Sequence, residues 1–144
     1  MKTIHTLKYL ILLSICTLAL LPTTMYAQKI SDLPEKERNE KLIKIARTIF
    51  KNQKFKEAYR EYGTPTIRTY NIDTTKINRN PKSIGYGKDL GSLVYIVTFP
   101  YDKSKEKMEW YDFAAEVYIS DKQSKAYTII LGNGYGYDTY NLNQ

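Results

Sequence analysis

The fold is decided by one stretch of sequence, Ser92-Leu-Val-Tyr-Ile-Val-Thr-Phe-Pro-Tyr101. Its residues are mostly β-branched or aromatic, which favours a β-strand over a helix. Side chains alternate between the two faces of a strand, and here both alternating sets are apolar. We therefore predict a strand near the centre of a sheet, covered on at least one side. Pro100 has no backbone N–H and predicts the end of the pairing.

Two further strands are predicted after this one, at Trp110–Ser120 and Ala126–Leu131. In the first, apolar residues from Tyr111 to Ile119 alternate with a set that includes Asp112 and Glu116, which is typical of a strand with one buried and one solvated face. The charged segment 102–109 and the short polar segment 121–124 have the composition of hairpin loops. The three strands are therefore expected to form an antiparallel meander.

The residues before the meander predict a helical layer. Asp32 and Glu35 are spaced as a capping box around Pro34, and an apolar stripe follows from Leu42 to Phe50. The apolar residues from Phe55 to Tyr62 fall on the opposite side of a continuous helix. We therefore predict a break near Asn52-Gln53 that separates two helices, about 33–51 and 53–62. A straight helix whose last turns face a partner is the alternative.

The remaining segments complete the predicted architecture. Residues 64–73 predict a strand at the sheet edge, and 74–90 form a long polar connection with an optional short strand at 83–86. Residues 132–144 are a tail rich in Gly, Tyr and Asn. The predicted fold class is α+β, with one or two N-terminal helices packed on a four-stranded antiparallel sheet.

Residues 1–27 have the features of a secretory signal peptide. Basic residues precede the apolar run 9–21, which is shorter than the ~20 residues needed to span a bilayer, and Ala27 is the expected cleavage point. A lipid-modified Cys16 is disfavoured because bulky Ile15 precedes it and the apolar run continues beyond it. We therefore expect residues 28–144 to be a single exported domain, periplasmic or secreted, without stable membrane insertion.

Composition limits the chemistry of that domain. The chain has 22 basic and 15 acidic residues and a net charge of +7, and loss of Lys2 and Lys8 with the signal leaves +5. Acids are interspersed among the bases, so we expect no nucleic acid partner. His5 and Cys16 are the sole histidine and cysteine and lie in the signal. Their removal excludes a catalytic triad, a thiol nucleophile, a histidine or cysteine zinc site and an internal disulfide.

The carboxylates give little support for catalysis. Asp112 and Glu116 are four residues apart on one predicted strand, about 13 Å at the usual rise. A retaining glycosidase needs its two carboxyl groups about 5 Å apart. We therefore predict that both lie on a solvated strand face, that the protein is not an enzyme, and that it has no cofactor and no metal site. An enzyme restricted to Asp, Glu, Lys and Tyr is the minor alternative.

Surplus tyrosines and a basic loop are the candidate binding residues. Of 14 tyrosines, 12 remain after Tyr9 and Tyr26 leave with the signal. Aromatic side chains on a Gly-rich tail suit recognition, because tyrosine offers a large contact area with few rotors. The alternatives are that the tail covers a sheet edge, that Trp110 is core, and that the lysines serve solubility. The candidate set is Tyr101, Lys103, Lys105, Lys107, Trp110, Tyr135, Tyr137 and Tyr140.

One short segment resembles a known family. Glu116-Val-Tyr-Ile-Ser-Asp-Lys-Gln-Ser-Lys-Ala-Tyr-Thr-Ile129 is similar to the terminal hairpin of PepSY-like domains: Asp121 matches, whereas Ser124-Lys125 stand where that hairpin has Thr-Gly. The order of helix and meander also resembles cystatin-like folds, which include secreted protease inhibitors and periplasmic immunity proteins. These resemblances imply a small exported α+β domain that binds rather than catalyses.

The sequence therefore predicts an exported, non-enzymatic module that binds another exported protein, such as a protease or toxin that it restrains. The alternative is an NTF2-like or PepSY-like protein that encloses a small ligand in a cavity lined by Tyr59, Tyr95 and Phe113.

Overall fold

The computed structural model of the protein describes residues 28–71, 93–139 and 142. Within these residues, one α-helix packs on one face of a five-stranded antiparallel sheet with the order β1-β2-β3-β4-β5. The fold class is therefore α+β, as predicted. The elements are α1 (Glu35–Phe50), β1 (Thr66–Asn71), β2 (Leu93–Phe99), β3 (Ala115–Ser120), β4 (Lys125–Leu131) and β5 (Gly136–Asp138), with 3₁₀ turns at Ile30–Asp32 and Gln53–Phe55.

Several predictions concern other residues. The signal peptide at 1–27, the connection with its optional strand at 83–86, and Tyr140 all lie outside the described residues. Within the described part of the chain, no helix combines the length and apolarity that a membrane span requires.

The deciding stretch forms β2, as predicted. β2 lies between β1 and β3, and its residues from Val94 to Val97 are buried, so both faces of the strand are covered. Pairing with β3 ends at Phe99, immediately before Pro100. β1 pairs with β2 alone among the described strands, which confirms its edge position.

The prediction of four strands was one strand short. Gly136–Asp138 adds a three-residue strand to the outer side of β4, with Tyr137 opposite Ile129. The tail thus covers a sheet edge, which was one of the two alternatives. This strand was not predicted because a segment of three residues with one apolar side chain is too short to show the alternation of apolar and polar residues that indicates a strand.

The strand predicted from Trp110 begins only at Ala115. The N–H groups of Trp110 and Tyr111 donate to the carbonyl of Gly132 at 3.4 and 3.3 Å, so this segment is attached to the β4–β5 turn outside the regular ladder. β3 itself is buried on both faces, and Glu116 is only 6% exposed. The predicted solvated face is therefore wrong for Glu116.

The core lies between α1 and one face of the sheet. Leu42, Ala46, Ile49 and Phe50 are the buried residues of α1. The ring centroid of Phe50 lies 5.1 Å from that of Phe99 on β2 and 5.0 Å from that of Tyr59. Burial of this apolar stripe, at roughly 1.5–3 kcal/mol for each large side chain, accounts for the docking of the helix.

Both ends of α1 differ in detail from the prediction. The helix ends at Phe50, and the Asn52 carboxamide accepts a hydrogen bond from the N–H of Lys54 at 3.0 Å to start a new turn. The break is therefore present, but the second predicted helix is only the 3₁₀ turn Gln53–Phe55. At the start, Pro34 occupies the cap position and, among the described residues, no side chain caps the helix. The capping-box prediction was wrong because Asp32 belongs to a separate 3₁₀ turn.

Asp121 attaches the N-terminal segment to the β3–β4 turn. Its carboxylate accepts hydrogen bonds from the N–H and hydroxyl of Ser31 at 2.6 and 2.9 Å, and its carbonyl accepts from the N–H of Ile30 at 3.3 Å. The same turn has Ser124 at φ 52°, a left-handed conformation that disfavours most side chains. Asp121 thus orders residues that are remote in sequence.

Candidate functional site

Three exposed aromatic residues lie together at one end of the sheet. Trp110 is 73% exposed, Tyr135 is 64% exposed and Tyr111 is 44% exposed. We call these three residues the Trp–Tyr surface. Tyr135 comes from the β4–β5 turn, and the other two come from the segment that is hydrogen-bonded to it. Large apolar side chains that stay in water at one place often mark an interaction site.

The β4–β5 turn fixes the backbone beneath this surface. The Gly132 carbonyl accepts hydrogen bonds from the N–H groups of Trp110 and Tyr111, and the Gly132 N–H donates to the carbonyl of Ala114 at 2.9 Å. A Cβ on Gly132 would lie 2.2 Å from the carbonyl oxygen of Phe113, so only glycine allows this approach. Gly134 has φ 89°, and a Cβ there would lie 3.2 Å from the indole of Trp110, which packs against it. Two glycines therefore position the tryptophan.

Phe113 supports the second aromatic residue of the surface. The rings of Tyr111 and Phe113 are stacked, with centroids 4.9 Å apart and planes 8° from parallel. Phe113 is half-buried whereas Tyr111 is exposed. The ring of Tyr111 is thus held against the protein by a neighbouring ring.

The charged segment 102–109, which we call the lysine loop, is folded by ion pairs and hydrogen bonds. Lys103 pairs with Asp112 at 2.5 Å, and Lys105 pairs with Asp102 at 3.2 Å. Ser104 donates hydrogen bonds to the Asp102 carboxylate from both its hydroxyl and its N–H, which closes a turn. The hydrogen bond from the Ser104 hydroxyl and the one from Lys105 lower the pKa of Asp102.

The other candidates occupy different environments. Tyr101 is 7% exposed and packs in the core, so it presents little surface to a partner. Lys107 is exposed. Tyr137 is half-buried on β5, with its ring 5.2 Å from Phe55 and the Lys54 ammonium 4.7 Å above it. The structure thus brings together Trp110 and Tyr135 from the candidate set, and leaves Tyr101 inside.

A cleft of about 640 Å³ is lined in part by Gly132 and Asn133 of the β4–β5 turn, the turn that also carries Tyr135. We call it the Met108 cleft. Apolar side chains and charged side chains both line it. The apolar group is Phe55, Ala58, Met108, Ala114, Leu131 and Tyr137, and the charged group is Lys54, Lys56, Glu57, Arg60 and Glu106. Arg60 Nε donates to both carboxylate oxygens of Glu106 at 3.1 Å, so these two charges compensate each other.

The cavity expected from the sequence would have been lined by Tyr59, Tyr95 and Phe113, and these residues do not come together around the cleft. Tyr95 is buried in the core, and the Tyr59 hydroxyl donates to Glu61 at 2.6 Å. Phe113 lies against Tyr111. The cleft instead uses the segment after α1, which the sequence assigned to a second helix.

A cluster of hydrogen-bonded side chains surrounds the buried carboxylate of Glu116 on the sheet face opposite α1. The sequence did not predict this cluster. Glu116 accepts hydrogen bonds from Arg68 Nη2 at 3.1 and 2.9 Å, from the Thr98 hydroxyl at 2.9 Å and from the Tyr118 hydroxyl at 3.2 Å. Thr98 stands directly opposite Glu116 in the register of β2 and β3. An available signal was the single arginine on β1, which the meander brings to the same face two strands away.

The cluster has the electrostatics of a structural site. Burial, reinforced by the negative charge of Glu116, raises the pKa of Tyr118 to about 12, and the bond to Glu116 raises the pKa of Arg68. Four donated hydrogen bonds use the acceptor capacity of the Glu116 carboxylate. Such a saturated group serves to join strands and is poorly placed to accept a proton from a substrate.

Metal ligation has no candidate group in the part of the chain described: no three acidic, histidine or cysteine side chains there converge on one point. Comparison with known proteins found no family model, no curated protein and no solved structure that matches the chain. The PepSY-like and cystatin-like resemblances therefore stay predictions.

Proposed function

We propose that the protein is an exported, non-enzymatic binding module that restrains another exported protein, in the manner of an inhibitor or immunity protein. The exposure of Trp110 and Tyr135 on a fixed backbone is the observation that carries this proposal. Tryptophan and tyrosine are enriched among the few residues that supply most of the energy of a protein interface. A soluble domain gains nothing for its own stability by leaving an indole in water.

The backbone contacts add to the argument because they order the surface in advance. An interface loses affinity when side chains and loops must be ordered on binding, at about 0.5–1.5 kcal/mol for each rotamer-rich side chain. Here Gly132 and Gly134 hold the Trp110 segment, and Phe113 supports Tyr111. The Trp–Tyr surface is thus suited to rigid docking on a complementary protein surface.

The test is a quantitative capture experiment in the source cell. The full-length chain with a C-terminal affinity tag is expressed, purified from the compartment where it accumulates, and its stoichiometric partner is identified by mass spectrometry. Trp110→Ala and Tyr135→Ala should each reduce partner affinity by tenfold or more, about 1.4 kcal/mol. Tyr70→Ala is the matched control, because Tyr70 is 51% exposed but lies on β1.

Two results decide the matter. If the Trp110 and Tyr135 variants bind the partner as wild type does, the Trp–Tyr surface is not the interface. If the partner is captured but its activity, measured with and without the purified protein, does not change, the restraining role is wrong although the binding role stands.

A small-ligand function is the second candidate, and the Met108 cleft is the observation that favours it. Its volume of about 640 Å³ lies within the usual range for small-molecule sites, about 300–1,000 Å³. A ligand screen by thermal shift would test it. A true ligand should raise the melting temperature of the wild type, and the rise should shrink when Lys54 and Lys56 at the cleft are both changed to Glu.

A further inference from the structure

The apolar part of the Met108 cleft reaches the edge of the core. Phe55 and Ala114 are each 2% exposed and Leu131 is 5% exposed, so these side chains belong to the core and present little surface, whereas Met108 and Tyr137 are only partly buried. Met108 packs against the core. Methionine is unbranched and adapts its shape to what it contacts. The partly exposed apolar surface of Met108 and Tyr137 favours an apolar side chain of a ligand over water.

The charges around the cleft are unequal once internal pairs are removed. Arg60 and Glu106 form a bidentate pair and compensate each other. Lys54 and Lys56 then face Glu57 alone among the charged residues that line the cleft, and both lysines are exposed. An excess of positive charge around an apolar surface favours a partner with negative charge beside its apolar group.

The cleft and the Trp–Tyr surface are continuous through one turn. Gly132 and Asn133 line the cleft, and Gly134 and Tyr135, the next two residues, belong to the Trp–Tyr surface or support it. A protein that docks on the aromatic residues therefore has the cleft within its footprint, since standard interfaces bury about 800 Å² on each side.

We infer that the Met108 cleft receives one apolar side chain from an acidic segment of the partner protein. This inference rests on the proposed function and defines the chemistry of the partner: an aliphatic or aromatic anchor flanked by Asp or Glu. The anchor packs against Met108 and Tyr137, and the acidic flanks lie against Lys54 and Lys56.

The test uses the methyl group of Met108 as a reporter. The full-length protein is labelled with ¹³C-methyl methionine, and the Met108 resonance is assigned by its loss in Met108→Leu. The probe is a blocked pentapeptide with leucine at the centre and two glutamates on each side. Two matched peptides replace the leucine with glycine or the glutamates with lysines.

Titration with the leucine–glutamate peptide should shift the Met108 resonance in a saturable way. The glycine peptide should have no effect, and the lysine peptide should bind at least tenfold more weakly. The double variant Lys54→Glu and Lys56→Glu should weaken binding of the acidic peptide about tenfold, since exposed charge pairs each contribute modestly to affinity. Lys36→Glu with Lys44→Glu on α1 is the charge-matched control and should bind as wild type does.

The inference is overturned if the Met108 resonance does not move at about 10 mM peptide. A peptide whose dissociation constant is about 1 mM would occupy most of the sites at that concentration. It is also overturned if the lysine peptide shifts the resonance as strongly as the acidic one. These failures are separable from that of the proposed function, because partner capture through Trp110 and Tyr135 does not require the peptide to bind.

Discussion

The pair formed by Arg68 and Glu116 offers the sharpest test of the structure. It joins β1 to β3 across β2, so it should contribute to attaching the edge strand to the sheet. We consider the changes Arg68→Met and Glu116→Gln, alone and together. Methionine keeps most of the aliphatic bulk of arginine without its charge, and glutamine keeps the shape of glutamate.

The expected magnitude follows from the burial of the two groups. The Glu116 side chain is 8% exposed, whereas that of Arg68 is 56% exposed. A fully exposed pair contributes about 0.2–1 kcal/mol, and removing one partner of a fully buried pair costs about 3–5 kcal/mol. This half-exposed pair lies between these limits, and Thr98 and Tyr118 continue to solvate the carboxylate when the guanidinium is gone. We expect Arg68→Met to lower the free energy of unfolding by about 2 kcal/mol.

The assay is a double-mutant cycle measured by urea unfolding of the two single variants and the double variant. The coupling energy between the two side chains should be about 1–2 kcal/mol, with an unchanged dependence on urea concentration. Lys103→Met with Asp112→Asn is the control cycle, because both of those partners are largely exposed. A coupling between Arg68 and Glu116 no larger than in the control would refute the argument that burial of the carboxylate strengthens this pair.

Three other predictions concern stability. Gly132→Ala should lower the free energy of unfolding by about 2–4 kcal/mol, since its Cβ would meet a carbonyl oxygen at 2.2 Å, whereas Asn133→Ala, which removes only an exposed 3.3 Å hydrogen bond from the Tyr135 N–H, should lower it by at most about 1 kcal/mol. Burial raises the pKa of Tyr118 from about 10 to about 12, so the contribution of this phenol to stability, at most about 2–3 kcal/mol, is complete below pH 10 and is lost as pH rises to 12. Tyr118→Phe should flatten that fall in denaturation curves collected across this range, and an equally steep fall would contradict it. Asp121→Ala should cost about 2 kcal/mol in urea unfolding because it releases Ser31, and exposed Asp112→Ala should cost less than half of that.

Local pattern was enough for the parts of the fold that depend on neighbouring residues. The apolar residues of β2 and the loop lengths predicted the meander, and the change of apolar phase after Phe50 predicted the break at Asn52. Burial of Glu116 was beyond such reasoning, because it depends on an arginine 48 residues earlier that reaches the same face through the sheet register. An alternating pattern predicts that a charged residue faces solvent unless the residue that pairs with its charge is known.

The sequence identified individual residues of the candidate site but not how they come together. Surplus aromatics in a Gly-rich tail drew attention to Tyr135, and the structure places it with Trp110, which a residue separation of 25 could not reveal. The Met108 cleft was not foreseen, since it is formed by residues from the segment after α1, the lysine loop and β4–β5. Tyr101 was misleading because a tyrosine beside a charged loop has the same local sequence whether its ring points outward or into the core.

The three-residue strand β5 has a consequence for the behaviour of the protein at high concentration. It occupies the hydrogen-bonding side of Thr128–Ile130 on β4, a strand rich in β-branched residues. An uncovered edge of that composition is a template on which strands of other molecules can add. We therefore expect residues 136–138 to hinder self-association by covering this edge. A chain shortened before Gly136 should form aggregates at concentrations where the full-length protein stays monodisperse in light scattering.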